Sequence, residues 1–249
     1  MNIFICISHV PDTTTKVQVA GDGTHIDNAG VTYILNPYDE FGVEAGLQLK
    51  EAFGGETTVV CVGPEEVKET IRKALAMGVD KGIHVKLDEH RDTFGIAQAI
   101  HSVLSGRGAD VVFCGRQSID YDGWQMASLL GEFLNIPSIS VVSKLTVDAD
   151  GGVTAERDIE GGKETVVAKL PAVISTQKGL NNPRYPKLQG IMAAKKKPIE
   201  ELSAPAYSNR VTILEMTKPA AKKAGSFIGS GPQDAAELVR RLHEEAKVI

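Results

Sequence analysis

Four short stretches carry residue types that could do chemistry, and each follows an apolar run: SHVPDT (8–13), NPYDE (36–40), VGPEE (62–66) and CGRQSIDYDGWQ (114–125). The last is the richest. Gly115 ends an apolar run, Asp120 and Asp122 follow, and a helical pattern begins near Gly123. The first backbone N–H groups of a helix have no intrahelical acceptor and attract phosphate, so this stretch is a candidate nucleotide site. It lacks both GxxxxGK[ST] and GxGxxG, so no Walker or dinucleotide fingerprint supports it, and the same residues suit a capped helix with no ligand. Catalytic groupings are thin. His9 follows the first apolar run and could face a cleft, whereas His84 inside a strand pattern and His101 on a helical stripe suit structural roles. No nucleophile is paired with a base, and HxxxH or CxxC metal spacing is missing. Cys6, Cys61 and Cys114 sit in or at the end of apolar runs and read as small buried residues; an iron–sulfur cluster would need about four thiolates.

The elements that must hold these stretches alternate regularly. NIFICIS (2–8), TTVVCVG (57–63), KGIHVK (81–86) and ADVVFCG (109–115) read as strands. Between them, residues 38–53 form a helix opened by Asn36-Pro37, then Val67, Ile71 and Leu75 mark a second helix. Phe94, Ala97, Ile100, His101 and Leu104 mark a third, and 124–134 a fourth. Strands apolar on both faces and joined by helices predict an α/β fold with an open, doubly wound parallel sheet. In such a sheet ligands bind beyond the carboxyl ends of the strands, where all four stretches fall.

After Pro137 the pattern changes. VSKLTVDADGGVTAERDI (142–159) alternates around Asp-Ala-Asp-Gly-Gly and predicts a β-hairpin extension, and ETVVAKL and AVIST add strands. Beyond residue 178 prolines recur at 183, 186, 198, 205 and 219, with a Lys-Ala-rich stretch at 217–224. The expected organisation is a nucleotide-binding α/β domain over 1–200, including an exposed loop at 178–199, and a C-terminal arm over 201–249. The arm ends in an amphipathic helix, 232–246, with Ala235, Leu238, Leu242 and Ala246 on one face, placed to dock on another subunit.

The chain has 249 residues and a formal net charge of −5, which argues against a general nucleic-acid binder. Its 42% hydrophobic and 24% charged residues are ordinary for a globular protein with a sizeable core. No apolar run reaches the roughly 18 residues of a membrane span. The amino terminus lacks a signal or transit pattern, so the cytoplasm is the expected location.

The ordered segments LPAVIST (170–176), LNNPRY (180–185), L-x-x-IM (188–192) and AKKKPI (194–199) match a known signature. NPYDEFGVEAGLQLKE, IRKALAMGVDKGIHV and the G-R-Q-S-I-D-x-D turn at 115–122 fit the same family. Over essentially its whole length the chain resembles the β subunit of electron transfer flavoprotein. The resemblance implies a heterodimer whose α subunit holds the redox FAD, with a structural AMP in the β subunit. It places the nucleotide on Cys6, on Asn36, Pro37, Tyr38 and Asp39, and on Val62 and Gly63. The loop Gly115, Arg116, Gln117, Ser118, Ile119, Asp120, Tyr121, Asp122, Gly123, Trp124, Gln125 and Met126 completes the site, and Thr13 approaches the partner's FAD.

It further implies that Leu188, flanked by Ile191 and Met192, anchors acyl-CoA dehydrogenases or similar flavoproteins, with Lys195, Lys196 and Lys197 steering acidic surfaces. The alternative is an apolar staple on the chain's own surface. Electrons would pass on to a membrane quinone oxidoreductase, making the chain an electron-carrier subunit of the kind that serves fatty acid β-oxidation, rather than an enzyme. Two departures bear on the nucleotide. Trp124-Gln125-Met126 stands where the mitochondrial type has Asn-Gln-Thr, which removes side-chain donors. An electron-bifurcating branch, with a second FAD oxidising NADH in this site, carries hydroxylated residues after an Asp-Thr pair. Here Asp92-Thr93 precedes Phe94, Gly95, Ile96 and Ala97, which favours AMP. Ala193 replaces a lysine of the mitochondrial type.

Overall fold

A computed structural model describes residues 1–221 and 224–249; part of the Lys-Ala-rich stretch, at 222 and 223, lies outside the described residues. Eleven strands and six α-helices are described. β1 (Asn2–Ile7), β4 (Glu56–Gly63), β5 (Lys81–Lys86) and β6 (Val111–Gly115) are the strands expected from the apolar runs. They alternate with α1 (Pro37–Phe53), α2 (Val67–Met77), α3 (Thr93–Leu104) and α4 (Met126–Leu134). β7 (Ser138–Val147), β8 (Gly152–Ile159) and β9 (Gly162–Lys169) form the antiparallel extension, and β10 (Ala172–Thr176) returns to the sheet centre.

Nine strands lie in the order β11-β5-β4-β1-β6-β10-β7-β8-β9, parallel from β11 to β7. Strand β1 shows why both faces must be covered. Ile3 and Ile5 join one apolar cluster with α1 and α2, while Phe4 and Cys6 join another with α3 and α4. Removing each such side chain from water contributes about 1.5–3 kcal/mol. The chain therefore winds leftward from β1 on one face, crosses to the other, and resumes at β6. The order reverses between β1 and β6, the place where open α/β sheets leave a crevice. Small residues bring α1 down onto that place: a Cβ on Gly42 would touch Phe113 Cβ at 3.5 Å, and one on Gly46 would meet Ile5 Cδ1 at 2.9 Å.

Three elements escaped the sequence pattern. β2 (His9–Pro11) and β3 (Tyr33–Leu35) form a short antiparallel ribbon. β11 (Ile199–Ser203) continues the sheet by pairing with β5 through Ser203, so the body runs past the expected boundary at residue 200. α4 begins at Met126 rather than 124, because Trp124 has a left-handed backbone, φ 54°. α5 (Leu188–Ala194) is the short helix of the exposed loop.

The terminal helix is a succession of a 3₁₀ turn (Pro232–Asp234), α6 (Ala235–Arg240) and a π turn (Arg241–Glu245). Leu238 and Val239 of this helix are exposed, as are Leu214 and Phe227 upstream, while Leu242 is half-buried. Among the described residues the arm is tied down at two places. The Asp92 carboxylate accepts from Tyr207 Oη (2.9 Å) and from the backbone N–H groups of Arg210 (2.6 Å) and Val211 (3.0 Å). Further along, the Met216 N–H donates to Gly23 O (2.7 Å) and Lys218 Nζ to Gln18 Oε1. In the isolated chain, amide exchange should therefore be fast beyond residue 218 and slower at Arg210, Val211 and Met216. Full protection of the whole arm in a monomer would show that it folds without a partner. Among the described residues no helix is long and apolar enough to cross a membrane.

Candidate functional site

The site is built at the reversal between β1 and β6. Those strands pair only over Ile3–Ile5 and Val111–Phe113, so beyond Phe113 their ends need another partner. Asp39, at the start of α1, supplies it. Its Oδ2 accepts the Ser8 N–H at 2.7 Å and its Oδ1 the Gly115 N–H at 2.7 Å, and the residue is only 3% exposed. Burial raises its pKa from 3.8 to about 7, against the pull of those two N–H groups and of Asn36. Gly115 is required here, since a Cβ would overlap Asp39 Oδ1 and approach the Tyr38 backbone at 2.9 Å.

Asn36, fully buried, shapes the loop that follows β6. Its Nδ2 donates to Gln117 O at 2.8 Å and its Oδ1 accepts from Ile119 N at 3.2 Å. Thr176 at the end of β10 closes the far side, its Oγ1 donating toward Tyr38 O (3.0 Å) and Cys114 O (3.2 Å). Cys6, Cys61 and Cys114 pack beneath as buried thiols whose pKa values burial pushes up, so they are inert packing groups.

The loop itself is open and polar. Asp122 (φ 49°) and Trp124 (φ 54°) both adopt the left-handed region that non-glycine residues rarely visit. Among the described residues, none accepts from the backbone N–H groups of Gly123, Trp124 or Gln125. Arg116 lies 4.7 Å from the Tyr38 ring centroid and 4.2 Å from that of Trp124, and Trp124 and Tyr121 remain exposed. The buried Arg116 Nε and Gln117 Oε1 find no partner among the described residues. The loop thus carries exposed aromatic faces, free N–H groups and unpartnered buried polar atoms, a set that suits a purine nucleotide with its phosphate near α4.

Most of the expected site residues meet here: Cys6, Asn36 to Asp39 and Gly115 to Met126, with Val62 and Gly63 at the adjoining end of β4. Asp39 and Asn36, however, engage protein groups. Thr13 stands apart, on the exposed excursion between β2 and β3. His9 is occupied structurally, stacked on Tyr33 with centroids 4.4 Å apart and bonded through Nδ1 to Thr70 Oγ1 at 2.7 Å. His84 is buried, with Nε2 2.9 Å from Gly63 O. Glu65, His84 and Glu201 bring ligand atoms within 4.8 Å of one another, a grouping no sequence spacing announced. The Lys68 ammonium, 2.5 Å from Glu65 and 2.8 Å from Glu201, already supplies the positive charge there.

The second expected site lies elsewhere, where α5 rests on α2. Leu188 is 74% exposed, Met192 64% and Ile191 46%. Lys195 and Lys196 face solvent, but Lys197 turns inward, its Nζ donating to Leu75 O (3.0 Å) and Val79 O (2.6 Å) at the end of α2. Lys197 thus caps carbonyls, with its ammonium turned away from solvent.

A family model described as the electron transfer flavoprotein domain matches residues 23–207. The chain is 37% identical over 260 aligned positions to the electron transfer flavoprotein subunit beta of Bacillus subtilis, covering all of both chains. It is 39% identical to the subunit of that name from Bradyrhizobium diazoefficiens, again over the whole of both. To the subunit from Bos taurus it is 33% identical, over all of this chain and 99% of the other. With its doubly wound sheet, strand-end cleft and full-length matches, the chain belongs to the electron transfer flavoprotein family, among its β subunits.

Proposed function

We propose that this chain is the β subunit of a heterodimeric electron carrier that takes electrons from acyl-CoA dehydrogenases or other flavoprotein dehydrogenases and delivers them to a membrane quinone oxidoreductase. The α subunit holds the FAD; this chain holds AMP, shapes the FAD site near Thr13 and docks dehydrogenases through Leu188. The observation that carries the AMP assignment is the loop 115–125, which offers free backbone N–H groups and exposed aromatic faces. Asn36 and Asp39 hold that loop in place, Gly123 to Gln125 receive the phosphate, and the Arg116 guanidinium with its flanking rings borders the base. A bound nucleotide would stabilise the complex by mass action, since it binds only the folded cleft.

The bifurcating alternative, with a second FAD oxidising NADH, needs more anion-binding capacity beside the cleft. The neighbouring helix start is closed instead. Asp92 Oδ1 accepts the Gly95 N–H at 2.8 Å, and the Tyr207 ring lies where a Cβ of Gly95 would be, 2.5 Å away. Phe94 and Tyr207 stack above it. This favours a nucleoside monophosphate.

Acid extraction of the purified αβ complex tests the assignment: one FAD and one AMP per heterodimer are expected, and two FAD would establish the bifurcating type. Gly123→Val is the matching variant. A Cβ there would meet only Thr93 Oγ1 (3.4 Å) and the Gln125 side chain, so the fold accommodates valine. The branched side chain stiffens the turn beside the phosphate, and AMP recovered from the variant should fall at least severalfold. Unchanged occupancy would place the nucleotide elsewhere.

A further inference from the structure

The segment that carries Leu188 is fastened to the body with unusual thoroughness. At its start Arg184 uses its guanidinium against two glutamates of α1. Nε and Nη2 donate to Glu44 at 2.8 and 2.9 Å, while Nη1 and Nη2 donate to Glu51 at 2.5 and 3.1 Å. The Arg184 backbone N–H adds a bond to Glu44 Oε2 at 3.1 Å, and Asn181 Nδ2 donates to Phe41 O at 2.9 Å. Glu44 and Glu51 are seven apart and share one face of α1, which lets a single planar fork engage both. Glu44 is only 4% exposed, so its carboxylate depends on that fork.

The other end is fixed to α2. Arg72 Nη1 donates to Ala194 O and Lys197 O, both at 2.5 Å, and Gly190 comes so close that a Cβ would stand 2.5 Å from Ala76 O. A seven-residue helix without a side-chain cap is not stable alone. Left free, a segment with Leu188, Ile191 and Met192 in water would fold them against the chain. The clamps instead keep them presented.

We propose that Arg184 is a positioning residue for partner recognition: its hold on Glu44 and Glu51 fixes the approach to α5, so that a docking flavoprotein meets Leu188 already in place. This rests on the docking role of Leu188 proposed above. Binding to a preordered segment avoids the entropy loss of ordering it on contact. The effect of Arg184 is therefore exerted through Leu188, and the two residues must be thermodynamically coupled.

A double-mutant cycle on the αβ complex tests this, with Arg184→Gln, Leu188→Ala and both together. The probe is medium-chain acyl-CoA dehydrogenase reduced with octanoyl-CoA, used below saturation, alongside amide exchange over 191–194, the hydrogen-bonded amides of α5, and FAD content. Arg184→Gln should speed exchange of those amides at least tenfold and lower coupled electron transfer about tenfold at normal FAD content. The double variant should transfer electrons within about twofold of Leu188→Ala alone. Glu51→Gln removes half of the clamp without stranding the buried Glu44, and should shift both readouts the same way by less. It serves if Arg184→Gln fails to fold. Arg184→Lys, which keeps the charge and loses the fork, should resemble Arg184→Gln. Full rescue by lysine, losses that multiply in the double variant, or unchanged transfer in both clamp variants would each overturn the positioning role. An unaffected Leu188→Ala would instead overturn the docking assignment on which it rests.

Discussion

Leu188→Ala is expected to leave the complex folded, with its FAD content and flavin spectrum intact, and to slow electron transfer from a dehydrogenase used below saturation. Truncating a central apolar anchor typically removes about 2 kcal/mol or more of binding energy, roughly a thirtyfold loss in affinity. The alternative role, a staple folded onto the chain's own surface, predicts a loss of stability. Leu188 is 74% exposed, so its removal uncovers little buried area. Changes at such positions usually stay within about 0.5 kcal/mol, a shift of only about 1–2 °C in Tm for a chain of this length. Thermal melting and dehydrogenase-coupled reduction of the same variant separate the two. A Tm lowered by several degrees with coupling intact would remove Leu188 from the docking surface.

Asp39→Ala should have the largest effect on stability. It strands the Ser8 and Gly115 N–H groups in the core, where an unsatisfied buried donor costs about 1–3 kcal/mol. The combined loss, about 3 kcal/mol, corresponds to a fall of about 10 °C in Tm. Because the same bonds set the start of the 115–125 loop, AMP content should fall with it. A melting curve within about 2 °C of the parent's would show that the strand ends do not depend on Asp39.

Asp39 also has a pH signature. Its folded pKa, about 7, lies above the unfolded value of 3.8, so the folded chain holds this proton more tightly. The stability it contributes is fully present below about pH 4 and is lost as pH rises through about 7. Asp39→Asn removes this dependence whatever its fixed cost. The stability difference between parent and variant, followed by denaturant titration from pH 4 to pH 8, should therefore move against the parent as pH rises. A constant difference would mean that the carboxylate is ionised throughout.

The sequence by itself determined the alternation of strand and helix as far as residue 134, because strands apolar on both faces and helices with a single stripe leave few other readings. It also pointed to the candidate site, since residues that follow the carboxyl ends of parallel strands lie where open sheets leave a crevice. NPYDE and GRQSIDYDGWQ were legible for that reason. The roles inside those stretches were not. Asp39 and Asn36 read as ligand contacts, and only the folded chain shows that β1 and β6 part beyond Phe113 and leave N–H groups that Asp39 must satisfy. Nor does local sequence reveal that β11 pairs with β5, that Lys197 caps α2, or that Arg184 reaches Glu44 across 140 positions. A strand of mixed polarity at a sheet edge, an inward-turned lysine and an arginine in a proline-rich loop all resemble solvated residues when read alone. Their partners are distant in the chain, and only tertiary packing decides which carbonyl or carboxylate comes within hydrogen-bond reach.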